Sequence, residues 1–341
     1  MWKATLTPNS TDGIGTFSSS GQYNAMGNPL SLRLGDNFKG VTTMPAGNYC
    51  FYKLFRNSTG LISASDLSLV STTLRNYCYN YMFAGCSNLV SVCNLPAKSL
   101  TVGCYYAMFN GCSSLVTAPL ISATYCFGYN SAAASSLAAM FLNCTSLTSI
   151  AHIPSSPASG SQNSYTHINM FKGCSSLVSI PSVTINLSKG NNCQGMFYGC
   201  SSLTDASGIT FSGTAAYMSL KEMFRGCSSL TVPPSTLPSS FGDHSNCDGM
   251  FRECTSLVNA PELPAETLTN YCYQNMFYGC TSLQNIKCLA TTKTATDCLK
   301  NWVTNVPTGG TFVKHPDTTW TSGVSGVPSG WTIEDAIIET D

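Results

Sequence analysis

The chain has 341 residues, of which 9% are charged and 43% hydrophobic, and its 16 basic and 16 acidic side chains cancel. Without a basic cluster, duplex nucleic acid and an anionic membrane surface are disfavoured as partners, because neutralising phosphates needs local Lys and Arg. No run of about eighteen apolar residues occurs, so no membrane insertion is predicted.

Residues 1–40 read as a small β cap. Trp2, Ala4 and Leu6 alternate, Gly13-Ile14-Gly15 offers a turn, and Leu30, Leu32 and Leu34 alternate again. The opening Met1-Trp2-Lys3-Ala4-Thr5-Leu6 has no apolar core segment and is no secretory signal. The sequence therefore predicts either export without a leader, as in a virion, or a processed chain.

Residues 41–290 are organised by a repeated signal, Met-Phe-x-x-Cys-Ser/Thr-x-Leu. Its Met-Phe pairs begin at Met82, Met108, Met140, Met170, Met196, Met223, Met250 and Met276, giving steps of 26, 32, 30, 26, 27, 27 and 26 residues. A degenerate copy around Leu54-Phe55 holds Ser58 at the cysteine position. Periods in the twenties belong to leucine-rich and related solenoids. Counted from the repeat Leu, apolar residues return at plus three (Val92, Ala118, Ile150) and plus six (Leu95, Ile121, Ile153), which predicts a short extended segment. Pro233-Pro234 should break the segment after Leu230. Leu74, Cys78 and Met82 fall four apart, as do Leu268, Cys272 and Met276, a spacing that predicts a two-turn helix in each copy. Gly85, Gly111, Gly173, Gly199, Gly226 and Gly279 would end those helices in the left-handed conformation. The inserts at 125–136 and 155–166 should be surface loops.

Residues 291–341 form a Gly/Pro-punctuated tail in which GGTFVKHP, TTW and VPSGWTI suggest closing strands. All four tryptophans, Trp2, Trp302, Trp320 and Trp331, lie in the end regions, where they would cover a stack or offer a ligand platform. Of the 18 cysteines, Cys86, Cys112, Cys144, Cys174, Cys200, Cys227, Cys254 and Cys280 share one repeat position. A thiol that returns once per copy reads as a buried column, since free cysteine behaves as a small hydrophobe. The alternatives are disulfides between copies, and zinc. Zinc is weakened by the absence of C-x-x-C and of any shared register among His152, His167, His244 and His315.

The pieces MFAGCSNL, MFNGCSSL, MFKGCSSL, MFYGCSSL, MFRGCSSL and MFYGCTSL resemble the BspA-type leucine-rich-repeat family, found on surface proteins of gut and oral anaerobes and in their phages. LSLRLGDNFKG and GTFVKHPDTTW resemble the flanks of phage-borne members more weakly. The resemblance implies an α/β, right-handed leucine-rich-repeat solenoid of about nine coils of 26–32 residues. Each coil would hold one strand and one short helix, with small β caps at both ends. It implies adhesion or recognition rather than catalysis, and no cofactor.

Function should then sit on the outward strand face. Two residues after the repeat Leu stand Ser91, Thr117, Ser149, Ser179, Asp205, Asn259 and Asn285, a column of short hydrogen-bonding groups suited to a glycan, or simply a solvated face. Tyr77, Tyr79, Tyr81, Tyr105, Tyr106, Tyr271 and Tyr273 form a second candidate, to be divided between packing and contact. No catalytic motif is present, and a Cys beside His152 or His167 is the one nucleophile–base pairing on paper. The sequence thus predicts a non-enzymatic recognition protein on a phage tail or virion, binding a host surface glycan or protein and assembling with tail or appendage proteins. A bacterial surface adhesin and a ligand-free spacer are the alternatives.

Overall fold

The computed structural model describes residues 16–124, 135–155, 165–188, 193–215, 218–242 and 246–338. Trp2, Ala4, Leu6, the Gly13-Ile14-Gly15 turn, His244 and most of both predicted surface loops lie outside them. The chain divides into two compact units, Met1–Leu177 and Val178–Asp341.

In the first unit, β1 (Tyr23–Gly27), β2 (Leu61–Leu67) and β3 (Ser91–Val92) form one parallel sheet in that order. Isolated parallel bridges continue the pattern at Leu95 with Ile121 and Thr117 with Ser149. In the second unit, β4 (Val183–Asn186) pairs with β5 (Ile209–Ser212). There β6 (Asn285–Cys288), β7 (Thr311–Lys314) and β8 (Thr332–Asp335) form a parallel sheet, so two of the predicted tail strands extend the repeat ladder. After Leu230 the chain forms single bridges at Val232 and Thr236, on either side of Pro233-Pro234, and at Phe241.

The predicted fold class is overturned on the opposite side of each copy, because the helix expected there is absent. Among the described residues the one α-helix is α1 (Ser31–Leu34), outside the repeat and followed by a single 3₁₀ turn at Gly35–Phe38. Leu32 and Leu34, predicted with Leu30 to belong to a β cap, lie in α1, and Leu30 precedes it as the N-cap. In place of repeat helices the chain runs through overlapping turns in which residues return to the left-handed region: Tyr77, Tyr79 and Tyr81 have φ of 58, 62 and 55°. Alternate amides then serve two directions. Met82, Ala84 and Cys86 donate to Tyr79, Tyr81 and Phe83, three residues back, while Tyr81, Phe83 and Gly85 donate to Tyr106, Met108 and Asn110 of the next copy at 3.0, 2.9 and 2.7 Å. The second unit repeats this: Glu222, Phe224 and Gly226 donate to Asp248, Met250 and Arg252.

Spacing explains why no helix forms. The fully buried rings of Phe83, Phe109, Phe141 and Phe171 stack nearly parallel with centroids 5.5, 5.4 and 5.5 Å apart. Strands pair at about 4.8 Å, which this column matches, whereas packed helices need about 8–10 Å between axes. A helix per copy would pull the rings apart. The repeat glycines do occupy the left-handed region, Gly85 at φ 77° for example, yet they end turn runs rather than helices.

A substitution distinguishes the two geometries by sign. Ala139 sits half-buried at φ 54°, a conformation that costs a β-carbon about 1–2 kcal/mol. Ala139→Gly should therefore raise stability by about 1 kcal/mol, whereas in a helix it would lower it by a similar amount. Urea denaturation reads the sign directly.

Candidate functional site

The two sides of each copy present different chemistry, and the strand side carries the predicted column. In the first unit Ser91 pairs with Ser63, their hydroxyls 2.8 Å apart, and Thr117 bridges Ser149. In the second, Asp205 bridges Val232, and Asn259 bridges Asn285 with Nδ2 of Asn285 donating to Oδ1 of Asn259 at 2.8 Å. Asn285 then pairs with Thr311, and Thr311 with Thr332. Ser179 is exposed with no bridge of its own among those described. Asp205 accepts from the Ser207 amide at 2.7 Å, and the Ser207 hydrogen bonds hold its carboxyl below the usual range.

One residue nearer the repeat Leu lies a feature that the sequence argument passed over. Val90, Val116, Val178 and Val258 are 45, 46, 48 and 37% exposed, so β-branched apolar side chains flank the polar column in both units. The signal was present in the sequence as a Val or Thr after the repeat Leu in seven of the eight Met-Phe copies, Gln284 being the exception.

The tyrosines divide cleanly. Tyr79, Tyr105 and Tyr273 are core residues, 2, 0 and 0% exposed, and burial pushes their hydroxyls well above the usual range. Tyr77, Tyr81, Tyr106 and Tyr271 are half-buried at the surface of the turn side. Beside them, Arg56 lies over the Tyr81 ring at 5.2 Å, and in the second unit Arg252 lies over Tyr278 at 4.6 Å.

The cysteine column is structural. The described cysteines are free thiols. Seven of the eight repeat thiols donate to the phenylalanine carbonyl one copy back: Cys86 to Phe55, Cys112 to Phe83, Cys144 to Phe109, Cys174 to Phe141, Cys227 to Phe197, Cys254 to Phe224 and Cys280 to Phe251, at 2.9–3.1 Å. Ser58, in the same register, meets the Tyr23 hydroxyl at 2.6 Å and accepts from the Ser19 amide. Burial pushes the Cys86, Cys174 and Cys280 thiols up to about 12, so they are poor nucleophiles. Cys50 differs: hydrogen bonding with Cys78, aided by Arg33 and Arg75, draws it down to about 7.

The candidate bases are equally committed. His167 is fully buried, its Nε2–H donates to the Pro154 carbonyl at 2.7 Å, and burial lowers its pKa to about 4. His152 Nε2 lies 3.1 Å from the Ala123 carbonyl. Among the described residues no group of three His, Cys, Asp or Glu is placed to hold a metal ion.

Trp302 is fully buried in the tail, stacked against Trp320 at 5.8 Å, and donates its Nε1–H to Gly326. No described helix is long and apolar enough to cross a membrane. No protein-family model matches the chain, and no curated protein matches it.

Proposed function

We propose that the protein is a non-enzymatic recognition module, carried on a phage tail or other virion appendage, that binds a glycan or protein on a host cell surface. The observation that carries this proposal is the run Asn259–Asn285–Thr311–Thr332, four short polar side chains placed in consecutive parallel register. Val258 is exposed beside it. Such a face offers fixed donors and acceptors at strand spacing next to small apolar patches, which suits sugar hydroxyls and their C–H faces. The BspA-type resemblance of the repeat is a second support, and it favours equally a surface adhesin of the bacterium itself.

The double variant Asn259→Ala/Asn285→Ala tests the proposal. Attachment to host cells should fall by about tenfold or more, equivalent to about 1.4 kcal/mol. Folding stability should change by no more than about 1 kcal/mol, because the pair is exposed. Unchanged attachment by a folded double variant would move the function off this face. Finding the protein in the outer fraction of intact bacteria, and not in purified virions, would favour the bacterial adhesin.

A further inference from the structure

We propose that the surface tyrosines of the first unit form a binding platform for an acidic saccharide, with a sugar ring against a tyrosine and its carboxylate taken by Arg56 or Lys53. This rests on the recognition proposal above and adds a ligand class and a second contact surface to it. Three independent observations converge on it.

The first is arrangement. Tyr77 stacks on Tyr49 with centroids 4.6 Å apart and planes 5° from parallel, and Tyr52 meets Tyr49 edge-on at 5.5 Å. Tyr106 meets Tyr81 edge-on at 5.2 Å. Lys53 Nζ lies 4.4 Å from the Tyr52 centroid, and the Lys53 amide donates to Asn80, the residue before Tyr81. Aromatic area, phenolic hydroxyls and two cations are thus gathered on one side of adjacent copies, all half-buried.

The second is backbone conformation. Tyr49, Tyr77 and Tyr81 have φ of 60, 58 and 55°, where a bulky side chain is strained. At the position of Tyr49 and Tyr77 another copy uses Gly103, and at the position of Tyr81 other copies use Asn169 and Gly195, all at positive φ. Residues that adopt this conformation cheaply serve the same architecture elsewhere, so the turn run itself does not require tyrosine at these three half-buried positions. Amide bonds from Tyr49 to Asn76, Tyr77 to Val102 and Tyr81 to Tyr106 hold the platform rigid, which lowers the ordering cost of binding.

The third is charge. Between Asp36 and Asp205 the only acidic residue is Asp66, on β2, while Lys39, Lys53, Arg56, Arg75 and Lys98 fall in the same stretch. Among the described residues every ion pair lies between Lys221 and Asp335. In the second unit Arg225 and Arg252 also face tyrosines, but Glu222 and Glu253 neutralise them. Among the described residues the Lys53 and Arg56 head groups face only rings, which leaves their charge for an anion. Carboxylate on guanidinium is a strong charge-assisted pairing.

Calorimetric titration with hexagalacturonate and with sialyllactose, against cellohexaose and lactose as neutral counterparts, tests the inference. The acidic oligosaccharides should bind at least about tenfold more tightly than the neutral ones, and less tightly as salt is raised. Tyr77→Asn and Arg56→Gln should each weaken that binding by about tenfold or more, with thermal midpoints preserved because Asn suits the φ of Tyr77 and Arg56 is at the surface. Equal affinity for neutral sugars, no binding of either acidic oligosaccharide, or full affinity in both variants would overturn it. Host-cell attachment separates the two proposals. Attachment that persists in both platform variants but is lost in the Asn259/Asn285 double variant leaves the recognition proposal standing alone, and wild-type protein that does not attach at all removes the recognition proposal itself.

Discussion

Raising the pH from about 8 to about 11 is expected to unfold the protein under reducing conditions, with the loss beginning near pH 9. Burial moves the repeat thiols from 9.0 to about 12 in Cys86, Cys174 and Cys280, and well above 9.0 in Cys112, Cys144 and Cys254. Their S–H groups point at phenylalanine carbonyls, so a thiolate in the same place would lose its hydrogen bond and face a lone pair. Below about pH 9 both folded and unfolded chains keep these protons, and the stabilisation is fully present. Above it the unfolded chain releases protons that the folded chain retains, and stability falls by about 1.4 kcal/mol per thiol for each pH unit. Six such thiols would remove about 8 kcal/mol in one unit, comparable with the whole stability of an ordinary domain. Cys50 acts in the opposite sense, because its thiol is lowered to about 7, but it is a single group against a column. The urea midpoint measured from pH 7 to pH 11 should be level at first and then drop steeply. In a Cys254→Ala/Cys280→Ala variant the drop should be shallower by two protons, whatever the variant's stability at neutral pH. A midpoint unchanged at about pH 10.5 would mean that the thiols are not buried in this column.

The register of the fold was open to inspection in the sequence, while the backbone of half of each copy was not. The Met-Phe spacing located eight copies, and Ser58 marked the position where a thiol column gives way to a hydroxyl that meets Tyr23 and Ser19. The helix failed because a four-residue spacing such as Leu74, Cys78 and Met82 fits overlapping turns as well as helical turns. The discriminating signal lay one residue before the Met, where Asn169, Gly195, Gly249 and Asn275 favour positive φ and disfavour a helix interior. Copy spacing, which decides the matter physically, is a property of stacked rings and cannot be read from one copy. The polar column was legible from Ser91 to Asn285 because its residues are tied to the repeat Leu. The tyrosine platform was only half legible: helical spacing could not separate Tyr79 and Tyr105, which are buried, from Tyr77 and Tyr106, which are not. Zero net charge concealed that the acids are nearly absent from the first unit.

Phe224→Ala is expected to cost about 3–5 kcal/mol, against no more than about 0.5 kcal/mol for Val232→Ala in the same copy. Phe224 is fully buried between Phe197 at 5.6 Å and Phe251 at 5.4 Å, whereas Val232 is 43% exposed. Truncation removes a ring from both faces of a stack and leaves a cavity that backbone movement cannot close, because the Phe224 amide and the Met250 carbonyl remain bonded at 2.9 Å. Phe224→Leu keeps most of the volume but neither stacking contact, and should cost about 1–2 kcal/mol. Thermal or urea denaturation gives these differences, and a cost below about 1 kcal/mol for Phe224→Ala would show that rings do not set the copy spacing. The consequence reaches the outer face. Asn259 and Asn285 stand one copy apart, so their side-chain bond at 2.8 Å depends on the spacing that the phenylalanine column imposes. A destabilised column should therefore loosen the proposed recognition face before the unit unfolds, and, if that proposal holds, host-cell attachment by Phe224→Ala should decline at temperatures where its far-ultraviolet spectrum is still native.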